Sequence, residues 1–217
     1  MPSLKIVAED LNPDIIAIVE TNLKPEQRLE LPGYILISEP RTKRSGGGLA
    51  LFVHKKIAHI TSTIGQSDEN TLQIQVKWIK LGYGTPIYLG LFYGKQESDP
   101  KEIIMDEYLT LARQVQGFKG QHGDVLLVGD FNSKLAIPHA GQAESRNGEM
   151  MKAMINATNL VTLNLQKLCT GTWTRSVGQN QRSAIDYALC SESLIPQVSS
   201  MLIDEAGHHK ACWQKTI

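Results

Sequence analysis

The sequence predicts an α/β fold in which packed β-sheets are flanked by helices. Three observations carry that expectation. Apolar segments of strand length outnumber those of helical length. One of them, "TLQIQVKWI" (71–79), alternates Leu72, Ile74, Val76 and Trp78 with polar neighbours, as a half-buried antiparallel strand does. A longer segment, "DPKEIIMDEYLTLARQV" (99–115), sets Ile104, Tyr108, Leu111 and Val115 on one helical face.

Taken in order, "LKIVAEDL" (4–11) has helical spacing and stops before Asn12-Pro13. The run "DIIAIVE" (14–20) reads as a buried strand ending at Glu20. Two more strands, "YILIS" (34–38) and "GLALFVH" (48–54), are joined across "EPRTKRSGG". After the alternating strand comes "PIYLGLFY" (86–93), which ends at Tyr93, and then the amphipathic helix. "DVLLVGD" (124–130) is a strand, and "RNGEMMKAMINATNL" (146–160) a second helix with Asn147 as the expected cap. "SAIDYALC" (183–190) is a late strand in which Asp186 faces away from Ile185 and Tyr187.

Bulk properties narrow the classes. The chain has 217 residues, enough for one sizeable core, and no repeat, low-complexity tract or linker divides it, so one domain over 1–217 is expected. Its 22 Lys and Arg balance 22 Asp and Glu, so no global field draws nucleic acid or membrane, and any basic surface is local. The longest aliphatic run, "IIAIV", is far short of a membrane span. No signal-peptide shape follows Met1, and Cys169, Cys190 and Cys212 lack metal-ligand spacing, so reduced intracellular thiols, cytoplasmic or nuclear, are expected.

Polar residues stand where apolar strands stop. Glu20, Tyr93 and Asp130 each close a strand, Asn132 follows on the side of Asp130, and Asp186 sits inside one. Carboxylates converging on one edge repel unless a cation sits among them. Magnesium suits such a set, because it takes hard oxygen ligands, few from protein and the rest from water and phosphate. An asparagine can bind a phosphate oxygen without adding charge, and a tyrosine hydroxyl can stabilise charge developing there. The set therefore fits metal-assisted hydrolysis of a phosphoester. Each residue has a plainer reading as well: Glu20 as a solvated strand end, Asp130 as the opener of an Asx-turn, Tyr93 as an amphipathic strand end.

In order along the chain, "IVETNL", "GGGLALFV", "LGLFYG", "LLVGDFNSKL", "LVTLN", "GTWTR" and "SAIDYALCS" resemble the endonuclease/exonuclease/phosphatase superfamily. Within it, "RNGEMM…NLVTLN" and "CTGTWTR…QRSAIDYALCSESL" are similar to the apurinic-endonuclease-like domain of LINE-type (non-LTR) retrotransposons. The resemblance spans about residues 4–205. It implies a deoxyribonuclease I-like four-layer α/β/β/α sandwich and a magnesium-dependent enzyme, with manganese as the substitute ion, that nicks DNA as a monomer away from membranes. By matching position, Glu20 would be the metal ligand and Tyr93 would contact the scissile phosphate. Asp130 would orient the attacking water, Asn132 would bind phosphate, and Asp186 would lie in the same cleft. Thr172 would pack at the substrate edge, or serve only as a turn residue. Arg175 and Arg182 flank a hairpin, "SVGQNQ", in the place of a loop that probes the DNA groove. Arg41, Lys43 and Arg44 could touch a DNA backbone.

The chain departs from the family pattern at both ends. Members begin with a strand carrying a metal-binding asparagine and end with Ser-Asp-His. Here both the first strand and the last are expected to be missing. "GHHKA" (207–211) is either a degenerate version of the final motif, with His209 in the histidine position, or a loop preceding it. Two alternatives to the nuclease therefore stand: an inactive remnant that at most binds nucleic acid, and a phosphoesterase acting on small molecules or lipids.

Overall fold

The structure is a computed structural model that describes all residues except 1, 25–26, 28, 41–46, 62–73, 83, 178–180, 206–211 and 215–217. The basic loop with Arg41, Lys43 and Arg44, the histidines His208 and His209, and the beginning of the alternating strand segment thus lie outside the described residues.

The chain opens with helix α1 (Pro2–Leu11), followed by β1 (Ile15–Val19), β2 (Tyr34–Glu39), β3 (Leu49–His54), β4 (His59–Thr61), β5 (Gln75–Leu81) and β6 (Ile87–Tyr93). Helix α2 (Lys101–Gly120) leads to β7 (Asp124–Asp130), and helix α3 (Arg146–Thr158) to β8 (Leu160–Thr162). Short strands β9 (Cys169–Thr170), β10 (Arg175–Val177) and β11 (Gln181–Ser183) precede β12 (Asp186–Ser191), β13 (Ser200–Leu202) and β14 (Cys212–Gln214). Among the described residues, a first sheet has the order β1-β3-β2 and a second the order β4-β5-β6-β7-β12-β8. A hairpin β10-β11 and a small sheet β14-β13-β9 stand beside them.

Three apolar clusters stack these elements into the four layers expected. Leu4 and Ala8 of α1 pack with Tyr34, Ala50 and Phe52 on the outer face of the first sheet. Leu49, Leu51 and Val53 on its other face meet Leu89, Leu91, Val128, Ala188 and Cys190 of the second sheet. Beyond that sheet, Phe92, Leu127 and Leu189 pack against Ile104, Leu111, Val115 and Phe118 of α2 and Met151 and Met154 of α3. The alternation of Cβ direction along a strand explains β1, whose Ile15 and Val19 face the inter-sheet core while Ile16 and Ile18 face α1. Both faces are covered, so "IIAIV" is apolar throughout.

The helix α2 face read from the sequence, Ile104, Tyr108, Leu111 and Val115, is buried. Strands β6 and β7 run parallel, and α2 makes the crossover that a parallel pair requires. The expected cap of α3 is corrected. Ser145 is the N-cap, its Oγ accepting from the Gly148 N–H at 3.2 Å, and Asn147 is buried inside the first turn. A hydroxyl with extended backbone geometry one residue before the helix outcompetes an asparagine already inside it. The late strand is shorter than expected at its start, because Gln181–Ser183 belongs to the hairpin and the main-sheet strand opens only at Asp186. Cys169 and Cys190 are free thiols.

Candidate active site

Strand pairing brings the polar strand ends together. In the parallel pair β6–β7, Tyr93 registers with Asp130, and in the antiparallel pair β7–β12, Asp130 registers with Asp186. Three neighbouring strands therefore each contribute one polar side chain to a single row. Residues in register share a sheet face, and this row continues the face that carries Leu91, Val128 and Ala188 toward the first sheet. Glu20, just beyond β1, comes to the row from that first sheet. The Tyr93 hydroxyl donates to Glu20 Oε1 at 2.5 Å, which links the two sheets at the mouth of the cleft.

Local backbone chemistry places these groups. Glu20 has φ +55, a left-handed conformation that is uncommon for a side chain of its size. The turn after it is anchored where the Thr21 and Asn22 N–H groups donate to the Gly48 and Gly47 carbonyls, at 3.3 and 2.8 Å. Gly47 and Gly48 themselves have φ +95 and +94, so those glycines let the chain turn tightly into β3. Asp130 does open an Asx-turn, accepting from the Asn132 N–H through Oδ1 at 2.8 Å, and Asn132 takes φ +47. Turn and cleft are thus not rival explanations for Asp130, because the turn fixes a carboxylate that also lines the cleft. Asn132 Nδ2 donates to the Gly94 carbonyl at 2.9 Å, and the Gly94 N–H donates to the Asp130 carbonyl at 2.8 Å. The strand-end loops after Tyr93 and Asp130 are therefore tied to each other.

The cleft has a volume of about 430 Å³. Glu20, Tyr93, Asp130, Asn132, Arg175 and Ile185 line it, together with Lys134 and the loop residues Gln96, Glu97 and Ser98. Acidic and basic groups share its wall, a pattern suited to a cation and an anion bound side by side. Asp186, directly across from Asp130, and Thr172 are not among the lining residues. Thr172 sits in the segment between β9 and β10, where the Thr172 and Trp173 N–H groups both donate to Glu205 Oε1, at 2.6 and 3.1 Å. Arg182 pairs with Ser176 in the hairpin and is exposed.

Lys134 and Gln96–Ser98 escaped the sequence reading because they are ordinary solvated residues in their own segments. Lys134 carried the only signal, lying two positions past Asn132. Thr174 also escaped it. Its Oγ1 accepts from the Ile185 and Asp186 N–H groups at 3.0 and 3.1 Å and so sets the start of β12.

Among the described residues, no group of three or more His, Cys, Asp or Glu is arranged to hold a metal ion. A magnesium site needs fewer protein ligands than that, since water and substrate complete the shell. The hard oxygens of Glu20 and Asp130 in an open cleft fit such an ion. No helix among the described residues is long and apolar enough to cross a membrane.

The same architecture is found in solved structures. The endonuclease domain of TRAS1, a telomere-specific non-LTR retrotransposon, is 16% identical with a TM-score of 0.65, over 99% of this chain and 88% of that one. The AP endonuclease LMAP from Leishmania major is 15% identical with a TM-score of 0.75, over 99% and 82%. The 3'-5' exonuclease NExo from Neisseria meningitidis is 16% identical with a TM-score of 0.66, over 94% and 86%. At such identities the likeness is one of fold. Among curated proteins, none matches the chain significantly. A sequence profile of the Endonuclease/Exonuclease/phosphatase family does match, over residues 4–212. With its strand-end motifs, its layered sheets and that match over nearly its whole length, the chain belongs to the endonuclease/exonuclease/phosphatase family.

Proposed function

We propose that the chain is a magnesium-dependent phosphodiester hydrolase that nicks DNA, the endonuclease domain of a protein of retrotransposon origin. One observation carries the reading: Tyr93, Asp130 and Asp186 stand in register on three adjacent strands, with Glu20 bonded to Tyr93 from the opposite sheet. In this reading Glu20 is the protein ligand of the ion, with manganese as the substitute metal. Magnesium, when bound, supplies a hard Lewis acid for phosphate oxygens.

Asp130, oriented by its Asx-turn, directs the attacking water and takes its proton. Asn132 keeps its amide beside the Gly94 carbonyl, where a remaining N–H can meet a phosphate oxygen. The Tyr93 hydroxyl would donate toward charge developing on the phosphate, in exchange for its bond to Glu20. Asp186 adds negative charge behind Asp130 and favours the cation. Lys134 and Arg175 hold the DNA backbone along the basic part of the wall, and Thr172, outside that lining, would pack at the edge of a bound substrate.

The retrotransposon origin rests on the "RNGEMM" and "CTGTWTR" segments rather than on the fold, and these also favour DNA over a lipid or small-molecule phosphoester. Nicking of supercoiled plasmid tests the assignment. The purified chain with magnesium should convert supercoiled to open-circular DNA. EDTA should abolish this, and Asp130→Ala should lower the rate by about a thousandfold or more. A folded chain that leaves the plasmid supercoiled would instead be an inactive remnant that at most binds nucleic acid.

A further inference from the structure

Beneath the cleft lie two buried polar side chains that neither a helix cap nor the cleft itself explains. Glu107 on α2 is 1% exposed, and Asn147 in the first turn of α3 is fully buried. Both reach the same residue, Lys95, two positions past Tyr93. Glu107 Oε2 accepts from the Lys95 N–H at 2.8 Å, and Asn147 Nδ2 donates to the Lys95 carbonyl at 3.2 Å. The same Asn147 amide donates to the Asn132 carbonyl at 3.3 Å. Asn147 therefore spans the loop that follows Tyr93 and the loop that carries Asn132, while Glu107 fixes the first of them from the neighbouring helix. Arg146 extends the hold, its N–H donating to Glu97 Oε1 at 3.1 Å and its Nη2 to the Asp99 carbonyl at 3.0 Å.

A purely structural role accounts for this poorly. Glu107 Oε1 and Asn147 Oδ1 are both buried without a hydrogen-bond partner among the described residues. Such orphaned acceptors cost stability, so a chain selected only for packing would do better with apolar side chains here. What the pair does achieve is to grip both main-chain groups of a residue where β6 has ended and the sheet no longer satisfies them. The gripped loop supplies Gln96, Glu97 and Ser98 to the cleft wall.

We infer that Glu107 and Asn147 form a clamp of positioning residues that sets the spacing between Tyr93 and Asn132 for phosphodiester hydrolysis, an inference that rests on the hydrolytic reading of the cleft. Burial pushes the Glu107 carboxyl up to about 7, against the opposing effect of the Lys95 N–H. In its protonated form, which this shift populates further up the pH scale, the carboxyl keeps one oxygen as acceptor and makes the other a donor. Glutamine reproduces both properties; methionine fills the space and reproduces neither.

The test compares the full chain with Glu107→Gln, Glu107→Met and Asn147→Ala. It measures kcat and KM for nicking of a labelled duplex, and amide hydrogen exchange across 93–98 and 130–134. Glu107→Met and Asn147→Ala should lower kcat by about 10- to 100-fold with KM within about threefold, as expected when reacting groups are misplaced while substrate affinity is kept. Glu107→Gln should stay within about threefold of the parent, and the two loops should exchange faster only in the first two variants. Unchanged kcat in Glu107→Met and Asn147→Ala, a change confined to KM, or equal damage in Glu107→Gln would overturn the clamp. If Asn147→Ala does not fold, Asn147→Asp, of the same size without the amide donors, is read by the same criteria. If the parent chain itself does not nick DNA, the hydrolytic reading fails, and the exchange pattern alone then decides whether the clamp exists.

Discussion

Tyr93 shows how one hydroxyl can join two sheets. Its ring is buried, and its hydroxyl bonds Glu20 across the cleft at 2.5 Å. Tyr93→Phe keeps the ring and its packing but loses the hydrogen bond to the Glu20 carboxylate, so the thermal unfolding midpoint should fall by only a few degrees. The nicking rate should fall by about 100-fold or more, the scale for losing one donor at developing charge. Paired melting and plasmid assays check both halves. Glu107 offers a second prediction at this scale, in stability. Its folded-state pKa of about 7 lies above the ordinary 4.5, so between those values the folded chain holds a proton that the unfolded chain has released. The associated stabilisation is complete below about pH 4.5 and is lost as pH rises through about 7. Urea unfolding of the parent and Glu107→Gln across that window should show the parent losing about 3 kcal/mol relative to the variant, which has no proton to lose.

At the scale of elements, the segment between β7 and α3 couples the cleft to helix α3. Ser145 Oγ accepts from both the Gly148 N–H at 3.2 Å and the Lys134 N–H at 3.1 Å, so the helix cap also holds the loop that follows Asn132. A Cβ on Gly148 would stand 2.0 Å from the Lys134 carbonyl oxygen, which requires glycine at this close approach. Ser145→Ala should cost about 1 kcal/mol, read as a lower denaturant midpoint with an unchanged slope. The sequence pattern was least informative about elements of this kind. Asn147 was the expected cap because asparagine favours that position, and only the helix start at Arg146 moved the role to Ser145. Strands β4, β8, β9, β13 and β14 have two or three residues each, too few to display a period of two.

Over the whole molecule, equal numbers of acidic and basic residues leave no net charge, so the proposed DNA binding would have to rest on local charge. Arg175 stands at the base of the β10–β11 hairpin and on the cleft wall, and the proposed function gives it a phosphate contact. Fluorescence anisotropy with a labelled duplex should show Arg175→Ala binding more weakly on every sequence. The slope of log K against log salt should shrink by about 1. An unchanged slope would remove Arg175 from the interface.

The long elements, the helix faces and the polar residues at strand ends were all legible along the chain. Each is written in local periodicity and in side-chain chemistry that does not depend on distant partners. How those residues stand to one another was settled only by folding. Tyr93, Asp130 and Asp186 are in one row because β6, β7 and β12 are neighbours in a particular register, and Glu20 faces them because the two sheets pack through Leu51, Leu91 and Val128. Lys134, Gln96 and the buried pair Glu107 and Asn147 join the site in the same way. Their residue types are ordinary in sequence, and they acquire a role only where long-range strand pairing and helix packing bring separate segments against one another.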